Sequence, residues 1–143
     1  MIPKYRAWDK EQKCWIKIAA LNFDEDGEMW YLAPAMDGFN PVYYENELGK
    51  TWELMQSTGF KDKNGTEIFA GDIVIHKQKS INYGDVYHHS YAEVFQQQNG
   101  AYRIRGKDIY GTDAYGARKN LKVVGNIYEH AELLNKDRFM TED

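Results

Sequence analysis

The stretch TGFKDKNGTEIFAGDIV, residues 58–74, says more about the fold than any other part of the chain. Two turn signals, Asn64-Gly65 and Gly71-Asp72, stand on either side of the apolar pair Ile68-Phe69. A β-branched run at residues 73–75 follows at once and favours a strand. Turns and strands that alternate over so short a distance are typical of the start of a small antiparallel β-barrel. The stretch carries no catalytic or cofactor motif, so it predicts a fold rather than an activity.

The same pattern of strands and tight turns continues on both sides of this stretch. Toward the N-terminus, Asp26-Gly27 separates apolar segments at 14–21 and 29–32, which indicates a hairpin because glycine accepts a positive φ. Toward the C-terminus, Asn99-Gly100 joins predicted strands at 91–96 and 102–105. The chain is therefore predicted to be mainly β.

The last third of the chain is predicted to hold a long loop and a short helix. Residues 106–120 contain three glycines, and loops of this length inside a compact domain are uncommon and often functional. A strand at 121–127 is expected to close the sheet. Good helix formers at 129–136 follow, with Asn126 as a plausible cap, and residues 137–143 are expected to fray.

Length and composition favour a small cytoplasmic protein. The 143 residues suit one domain, or one domain with a small appended lobe. The single cysteine, Cys14, fits a reducing compartment, and its neighbours Trp15 and Ile16 predict that it is a small buried hydrophobe. The N-terminal residues lack the apolar core of a secretory signal, and no apolar run approaches the roughly 20 residues of a membrane span. We expect no membrane partner.

Charge and aromatic content favour a binding protein over an obligate nucleic-acid binder. The net charge is −4, from 18 basic and 22 acidic residues, and no segment is strongly basic. Aromatic residues make up 15% of the chain, with 11 tyrosines and 4 tryptophans. Tyrosine-rich β proteins use such side chains in cross-strand pairs, in the core or at an interface.

Three sequence blocks resemble a known family. With Leu54-Met55-Gln56 before it, the stretch at 58–74 is similar to the central motif of the YopX-like proteins of bacteriophages and prophages. Blocks YRAWD at 5–9 and VVGNIYE at 123–129 agree in order, although Phe60 stands where the motif would have leucine. The resemblance implies a phage-linked cytoplasmic protein with an SH3-like barrel. The family has no established activity, so the resemblance implies no site.

These observations together predict the fold class and the domain organisation. The fold class is mainly β, with an N-terminal β-hairpin lobe over residues 1–55 and an SH3-like β-barrel with a short C-terminal helix over residues 56–143. The two parts form either separate domains or one continuous domain, a choice that the sequence leaves open.

Two candidate metal sites fail on spacing. The acidic residues Asp24, Asp26 and Glu28 invite a calcium loop, but glycine falls at the fourth position of that loop instead of the sixth. His88 and His89 are adjacent, and adjacent residues of a strand point to opposite faces, so their rings cannot share a metal there. In a loop they could share one, but no cysteine stands nearby to complete a zinc site. We expect no metal and no cofactor.

Candidate catalytic residues also have simpler explanations. Cys14 would need a base such as His76 or His130 within hydrogen-bond reach, and nothing in the sequence indicates that arrangement. Asp62 and Asp72 flank the turns of the 58–74 stretch, where a side-chain oxygen accepts hydrogen bonds from the backbone. We therefore expect that the protein is not an enzyme.

The leading functional hypothesis is a non-catalytic binding module for a protein partner, which is another copy of the chain, a host protein or a phage protein. Its candidate anchors are Tyr110 and Tyr115 in the predicted long loop. The alternative is a nucleic-acid-binding barrel that uses a basic and aromatic strand face, because aromatics among basic residues are how small barrels bind single strands. Its candidate residues are Tyr102, Arg103, Arg105, Lys107, Arg118 and Lys119, of which Arg103, Arg105 and Lys107 are predicted to alternate on one strand.

Overall fold

The computed structural model describes residues 4–16, 18–23, 29–34, 44–45 and 52–142. These residues form mainly antiparallel β-strands with a short helix near the C-terminus, so the predicted fold class is confirmed at this level. The chain divides into two compact units, Met1–Gln56 and Ser57–Asp143. Separate folding of two domains stays a prediction. Within the described ranges, no helix has the length and apolar character needed to cross a membrane.

The described strands that build the first unit are β1 (Tyr5–Asp9), β2 (Cys14–Ile16), β3 (Ile18–Phe23), β4 (Met29–Pro34), β5 (Tyr44–Glu45) and β6 (Trp52–Lys61). Over the described residues they form two small antiparallel sheets. In one sheet β1 lies between β2 and the first half of β6, and in the other the strand order is β3, β4, β5.

A small core holds the first sheet together. Ala7, Ile16 and Trp52 are buried, and Ile18 and Leu54 pack against them. The prediction that Cys14 is buried is wrong, because the residue is exposed. Cys14 begins the edge strand β2 directly after a turn, and the buried position of that strand is Ile16 instead.

The further elements of the second unit are β7 (Glu67–Phe69), β8 (Asp72–Lys79), β9 (Val86–Gln96), β10 (Tyr102–Gly106), β11 (Ile109–Asp113), α1 (Ala114–Ala117), a 3-10 helix (Arg118–Asn120), β12 (Leu121–Asn126), a second 3-10 helix (Ala131–Asn135) and β13 (Phe139–Glu142). The main sheet has the strand order β11, β10, β9, β8, β12, and β13 pairs with β9 as well. The second half of β6 pairs with β7.

The core of the second unit comes from the inward face of its sheet. Val74 pairs in register with Ala92, Val94 pairs with Ile104, and all four are fully buried. Leu121 from β12 joins the same cluster. No ladder pairs β11 with β12 in the part of the chain that the structure describes, so closure of the sheet into the predicted SH3-like barrel is not confirmed.

The 58–74 stretch forms the predicted turns, and its two aspartates stabilise them. Asp62 is 7% exposed, and its Oδ1 accepts hydrogen bonds from the backbone N–H groups of Asn64 and Thr66, both at 2.9 Å. Its Oδ2 accepts from the N–H of Val123 in β12 at 2.8 Å. The Oδ2 of Asp72 accepts from the N–H of Phe69 at 2.8 Å. Both carboxylates therefore stabilise backbone, as the sequence predicts.

The prediction of a long loop at 106–120 is wrong. A tight turn after Gly106 leads into β11, which pairs with β10, and the two short helices follow. Gly106 permits this path because a Cβ there would lie 2.3 Å from the Tyr91 carbonyl oxygen. Pairing with β10 supplies the backbone hydrogen bonds that a free loop would lack.

The expectation that the tail at 137–143 frays is wrong over Phe139–Glu142, because β13 pairs with the first half of β9. The ring of Phe139 stacks on His89 with centroids 4.7 Å apart, and His89 Nε2 lies 2.7 Å from Thr141 Oγ1. The predicted helix at 129–136 is the shorter 3-10 helix. Asn126 Oδ1 accepts from the N–H groups of Tyr128 and Glu129, so Asn126 caps the turn before this helix.

Candidate binding surface

The edge strand β11 contains a bulge that positions its side chains. In the pairing with β10, Thr112 faces Ile104 and Tyr110 faces Arg105, which leaves Gly111 as an extra residue. Gly111 has φ 70°, a conformation that favours glycine. The Nη1 of Arg103 donates to the Gly111 carbonyl at 2.6 Å. Arg103 therefore stabilises the bulge.

Tyr110 projects from this strand into solvent. Its side chain is 91% exposed, whereas the preceding Ile109 is 5% exposed and belongs to the core. Tyr110 makes no ring contact or hydrogen bond with its side chain among the described residues. A nearly free aromatic ring on a rigid strand loses little conformational entropy when it contacts a partner.

Tyr115 lies in α1 and contacts two other elements. The Oδ2 of Asp113 caps this short helix by accepting from the Gly116 N–H at 2.9 Å. The Tyr115 ring is edge-on to Phe60 of β6 at 5.5 Å, and the Arg118 guanidinium carbon stands 3.8 Å from its centroid. Stacked guanidinium and edge-on aromatic pairs of this kind are attractive. Tyr115 is still 56% exposed.

Phe60 links Tyr115 to Tyr102. The Phe60 and Tyr102 rings are 6.3 Å apart and edge-on, and both side chains pack against the core of the second unit. We call Phe60, Tyr102 and Tyr115 the aromatic cluster. The structure thus brings together Tyr102 and Tyr115, which the sequence assigned to different hypotheses. Among the residues described, Tyr110 makes no ring contact with this cluster.

Sequence reasoning missed Phe60 as a member of this surface. The available signal was an aromatic side chain at a motif position that would otherwise be leucine. Phe60 follows Gly59, whose φ of 85° changes the backbone direction of β6 just before the Asp62 turn. Burial alone would not have identified the residue, because its side chain is half-buried.

The basic residues predicted to bind nucleic acid are largely engaged with the protein itself. Arg105 Nε lies 3.3 Å from Glu93 Oε1, and its guanidinium stands over the Phe95 ring. Lys107 donates to Asp137, and this hydrogen bond, reinforced by the charge of Asp137, raises the pKa of Lys107. The prediction that Lys107 continues the strand face is wrong, because β10 ends at Gly106.

Arg118 and Lys119 lie in the 3-10 helix that follows α1. Arg118 Nη1 donates to the Tyr115 carbonyl at 2.8 Å while its guanidinium covers the Tyr115 ring. Lys119 is exposed. Among the candidates for nucleic-acid binding, Tyr102 belongs to the aromatic cluster and Arg118 contacts it.

The metal candidates do not assemble into a site in the described residues. No group of three or more His, Cys, Asp or Glu side chains there has the geometry to hold a metal ion. The acidic residues Asp24, Asp26 and Glu28 lie outside the described ranges. His88 and His89 are neighbours in β9, where His89 contacts Phe139.

Fold and surface define the chain as a small, mainly β protein with an exposed aromatic edge. The family model described as YopX protein matches residues 4–135, nearly the whole chain. The chain belongs to this family, which confirms the resemblance seen in the sequence.

Among solved structures, the crystal structure of protein EF1440 from Enterococcus faecalis is similar to this chain. The TM-score is 0.62 and the sequence identity 28%, over 94% of this chain and 99% of that chain. No curated protein matches the sequence.

Proposed function

We propose that this YopX-family chain is a non-catalytic binding module that recognises a protein partner through Tyr110 and Tyr115. The observation that carries the proposal is the 91% exposure of Tyr110 on a strand held by the bulge at Gly111. Tyrosine and arginine are enriched among the residues that dominate interface energetics, and Arg118 stands directly over Tyr115. A standard interface of roughly 1,600 Å² in total is organised by a few such anchors.

Side chains, rather than the strand backbone, are the expected contacts. A bulge interrupts the regular row of backbone donors and acceptors that a partner strand would need, and bulges protect sheet edges from added strands. The Gly111 carbonyl is already bound by Arg103. The partner is therefore expected to receive Tyr110 and Tyr115 in pockets of its own surface.

A pull-down with matched variants tests this proposal. The tagged protein is incubated with bacterial lysate, with and without nuclease, and captured proteins are identified by mass spectrometry. The double variant Y110A/Y115A should recover at least about tenfold less partner, because each anchor is expected to contribute about 1 kcal/mol or more. The control is Y83A, because Tyr83 is 68% exposed in the loop between β8 and β9.

Self-association needs a separate measurement. Sedimentation velocity over a range of concentrations reports whether the partner is a second copy of the chain. A dimer that dissociates in Y110A/Y115A and persists in Y83A would identify the partner as the chain itself. Equal capture and equal association by all three proteins would contradict the proposal, since the anchors would then contribute nothing.

A second candidate function, single-strand nucleic-acid binding, is favoured by one observation. Arg118 stacks on Tyr115 beside Phe60, and guanidinium and aromatic planes of this kind stack on bases. Binding of an oligo-dT strand should weaken steeply with salt, and R118Q should reduce the slope of log K against log salt by about 0.7. A flat salt dependence, or no binding at low salt, would exclude this candidate. Partners that vanish with nuclease in the pull-down would favour it over the first.

A further inference from the structure

Among the described residues, the main sheet of the second unit has three edge strands, of which β13 alone is regular. A bulge at Gly111 interrupts β11, and the pairing of β12 with β8 shifts between Val123 and Gly125. β13 pairs with β9 in continuous register from Phe139 to Glu142, and its other edge pairs with no strand in the part of the chain that the structure describes. Bulges and prolines protect a sheet edge, because a regular free edge can pair with a further strand. β13 contains neither.

The two faces of β13 have different surroundings. Phe139 and Thr141 lie on one face, where both contact His89 of β9. Met140 and Glu142 lie on the other face, because the side chains of a strand alternate. Met140 is 65% exposed, and a largely apolar groove of about 350 Å³ lies beside it. The second face therefore carries an uncovered apolar side chain at a free sheet edge.

Two charges of opposite sign stand on either side of Met140 on this face. Arg138 directly precedes the strand, two residues before Met140, and Glu142 lies two residues after it. Both side chains are exposed, and neither forms an ion pair or a side-chain hydrogen bond with another residue of the described ranges. The order along the face is positive, apolar, negative, which is complementary to itself when it runs in the opposite direction.

We propose that β13 pairs antiparallel with β13 of a second copy of the chain, in a symmetric dimer with Met140 on the two-fold axis. In this register Arg138 lies opposite Glu142 of the second copy, and the two Met140 side chains lie opposite each other. The symmetry repeats the ion pair, as in any isologous interface. Opposed residues of antiparallel strands have Cβ atoms about 4.5–5.5 Å apart, close enough for ion pairs and apolar contact. This surface does not include Tyr110 or Tyr115, and the inference does not depend on the proposed function.

The charges select both the partner and the register. Charged side chains normally protect a sheet edge, because most added strands leave them unmatched. A second copy with the axis at Met140 matches them twice. An axis at Phe139 would place Arg138 opposite Met140, and an axis at Thr141 would place Glu142 opposite Met140. Either shift would leave the charges without their partners.

The contact is small, so a weak dimer is expected. Two short strands and their flanking residues bury less than the roughly 1,200 Å² at the lower end of stable interfaces, and smaller interfaces are commonly transient. Sedimentation velocity of the full chain from about 10 µM to about 1 mM covers the corresponding range of Kd. The wild-type chain should change from monomer to dimer within this range.

Charge reversal tests the pairing directly. R138E and E142R each place like charges opposite one another twice, so each should weaken dimerisation at least about tenfold. The double variant R138E/E142R restores opposite charges and should dimerise within about threefold of the wild type. An equimolar mixture of the two single variants should form a heterodimer, because one copy then carries two acidic and the other two basic side chains at these positions.

Further variants separate the interface from general charge effects. K119E and E11R reverse exposed charges outside β13 and should leave the dimer unchanged. M140K places two like charges on the axis and should abolish it. Because the substituted side chains are exposed, the unfolding midpoints should stay close to that of the wild type, and if M140K fails to fold the charge variants decide. In hydrogen exchange, amides of Phe139–Glu142 should become more protected at high concentration in the wild type and not in R138E.

Three results would overturn the inference. One is a wild-type chain that stays monomeric up to about 1 mM. Another is a dimer that R138E, E142R and M140K leave as strong as in the wild type. The third is a dimer that dissociates in Y110A/Y115A and persists in R138E, which would place self-association at the aromatic surface instead. The expected pattern is the reverse, and capture of a protein partner should persist in R138E, so failure of either proposal is visible separately.

Discussion

Two segments, residues 58–74 and 106–120, contain similar turn-forming residues but differ in how their aspartates are bonded and buried. Each contains three glycines and an aspartate that caps a turn or helix, Asp62 in the first and Asp113 in the second. Asp62 is 7% exposed and binds three backbone N–H groups, one of them in β12. Asp113 is exposed and binds one. The two segments therefore differ in the hydrogen bonds of their aspartates. Asp62 is buried and binds a distant strand, whereas Asp113 is exposed and binds only its own helix.

The largest loss of stability is expected when Asp62 is replaced. D62A leaves three backbone N–H groups without their carboxylate, so we expect a loss of about 2–4 kcal/mol in the free energy of unfolding. D113A should cost only about 0.5–1 kcal/mol, because it removes a single exposed cap. Urea unfolding at neutral pH measures both. Equal losses in the two variants would remove the contrast between the segments.

The next largest loss of stability is expected from a substitution at Gly106, which tests whether the close approach of β10 to β9 prevents residues 106–120 from forming a free loop. In G106A the new Cβ would lie 2.3 Å from the Tyr91 carbonyl oxygen, so β10 must shift against β9. We expect a loss of about 1–3 kcal/mol, typical of overpacking. The control is G84A, since a Cβ at Gly84 meets nothing within 4 Å. Thermal unfolding of G106A that matches wild type would show that the strands do not approach this closely.

A substitution of Arg103 tests how much the bulge at Gly111 depends on this side chain. R103M removes the donor to the Gly111 carbonyl and should cost about 1–2 kcal/mol, because the bulge then lacks its side-chain partner. R105M breaks an exposed pair with Glu93 and should cost less than about 1 kcal/mol. Chemical denaturation of the two variants gives the ranking. The reverse order would show that the hydrogen bond from Arg103 to Gly111 does not stabilise the bulge.

The smallest expected effect on stability belongs to Tyr110. Because the ring is 91% exposed, Y110S should change the free energy of unfolding by less than about 0.5 kcal/mol while it weakens capture of the partner. Parallel measurements of unfolding and of pull-down recovery check this separation. A large loss of stability in Y110S would mean that the ring belongs to the fold rather than to a binding surface.

The turns of the 58–74 stretch could be predicted from the sequence because their partners are mostly local. Asn64 and Thr66 lie within four residues of Asp62, and Gly65 and Gly71 adopt the positive φ that the turn residues require. The hairpin at Asn99-Gly100 was predictable for the same reason. Local chemistry therefore yields the mainly β class and the order of these strands.

The strands β11 and β13 could not be predicted from the sequence, because the residues with which they pair are distant in the chain or depend on the register. β11 contains a bulge, so its side chains do not follow a simple alternation, and β13 is recognisable as a strand only through its pairing with β9. Tyr110 and Tyr115, the predicted partner-binding residues, are both exposed, and their role in binding stays a prediction. Phe60 was missed because its contact with Tyr115 joins residues 55 positions apart.

The three hydrogen bonds of Asp62 also order the folding of the second unit in time. Its contacts with Asn64 and Thr66 span two and four residues, whereas the contact with Val123 spans 61. Closing the longer loop costs roughly 2 kcal/mol more in chain entropy. We therefore expect the turn at Asp62 to form first, and the contact of Asp62 Oδ2 with β12 to form later. During synthesis, that oxygen gains its partner only after residue 123 has left the ribosome, so we expect this unit to complete its sheet only after β12 is available.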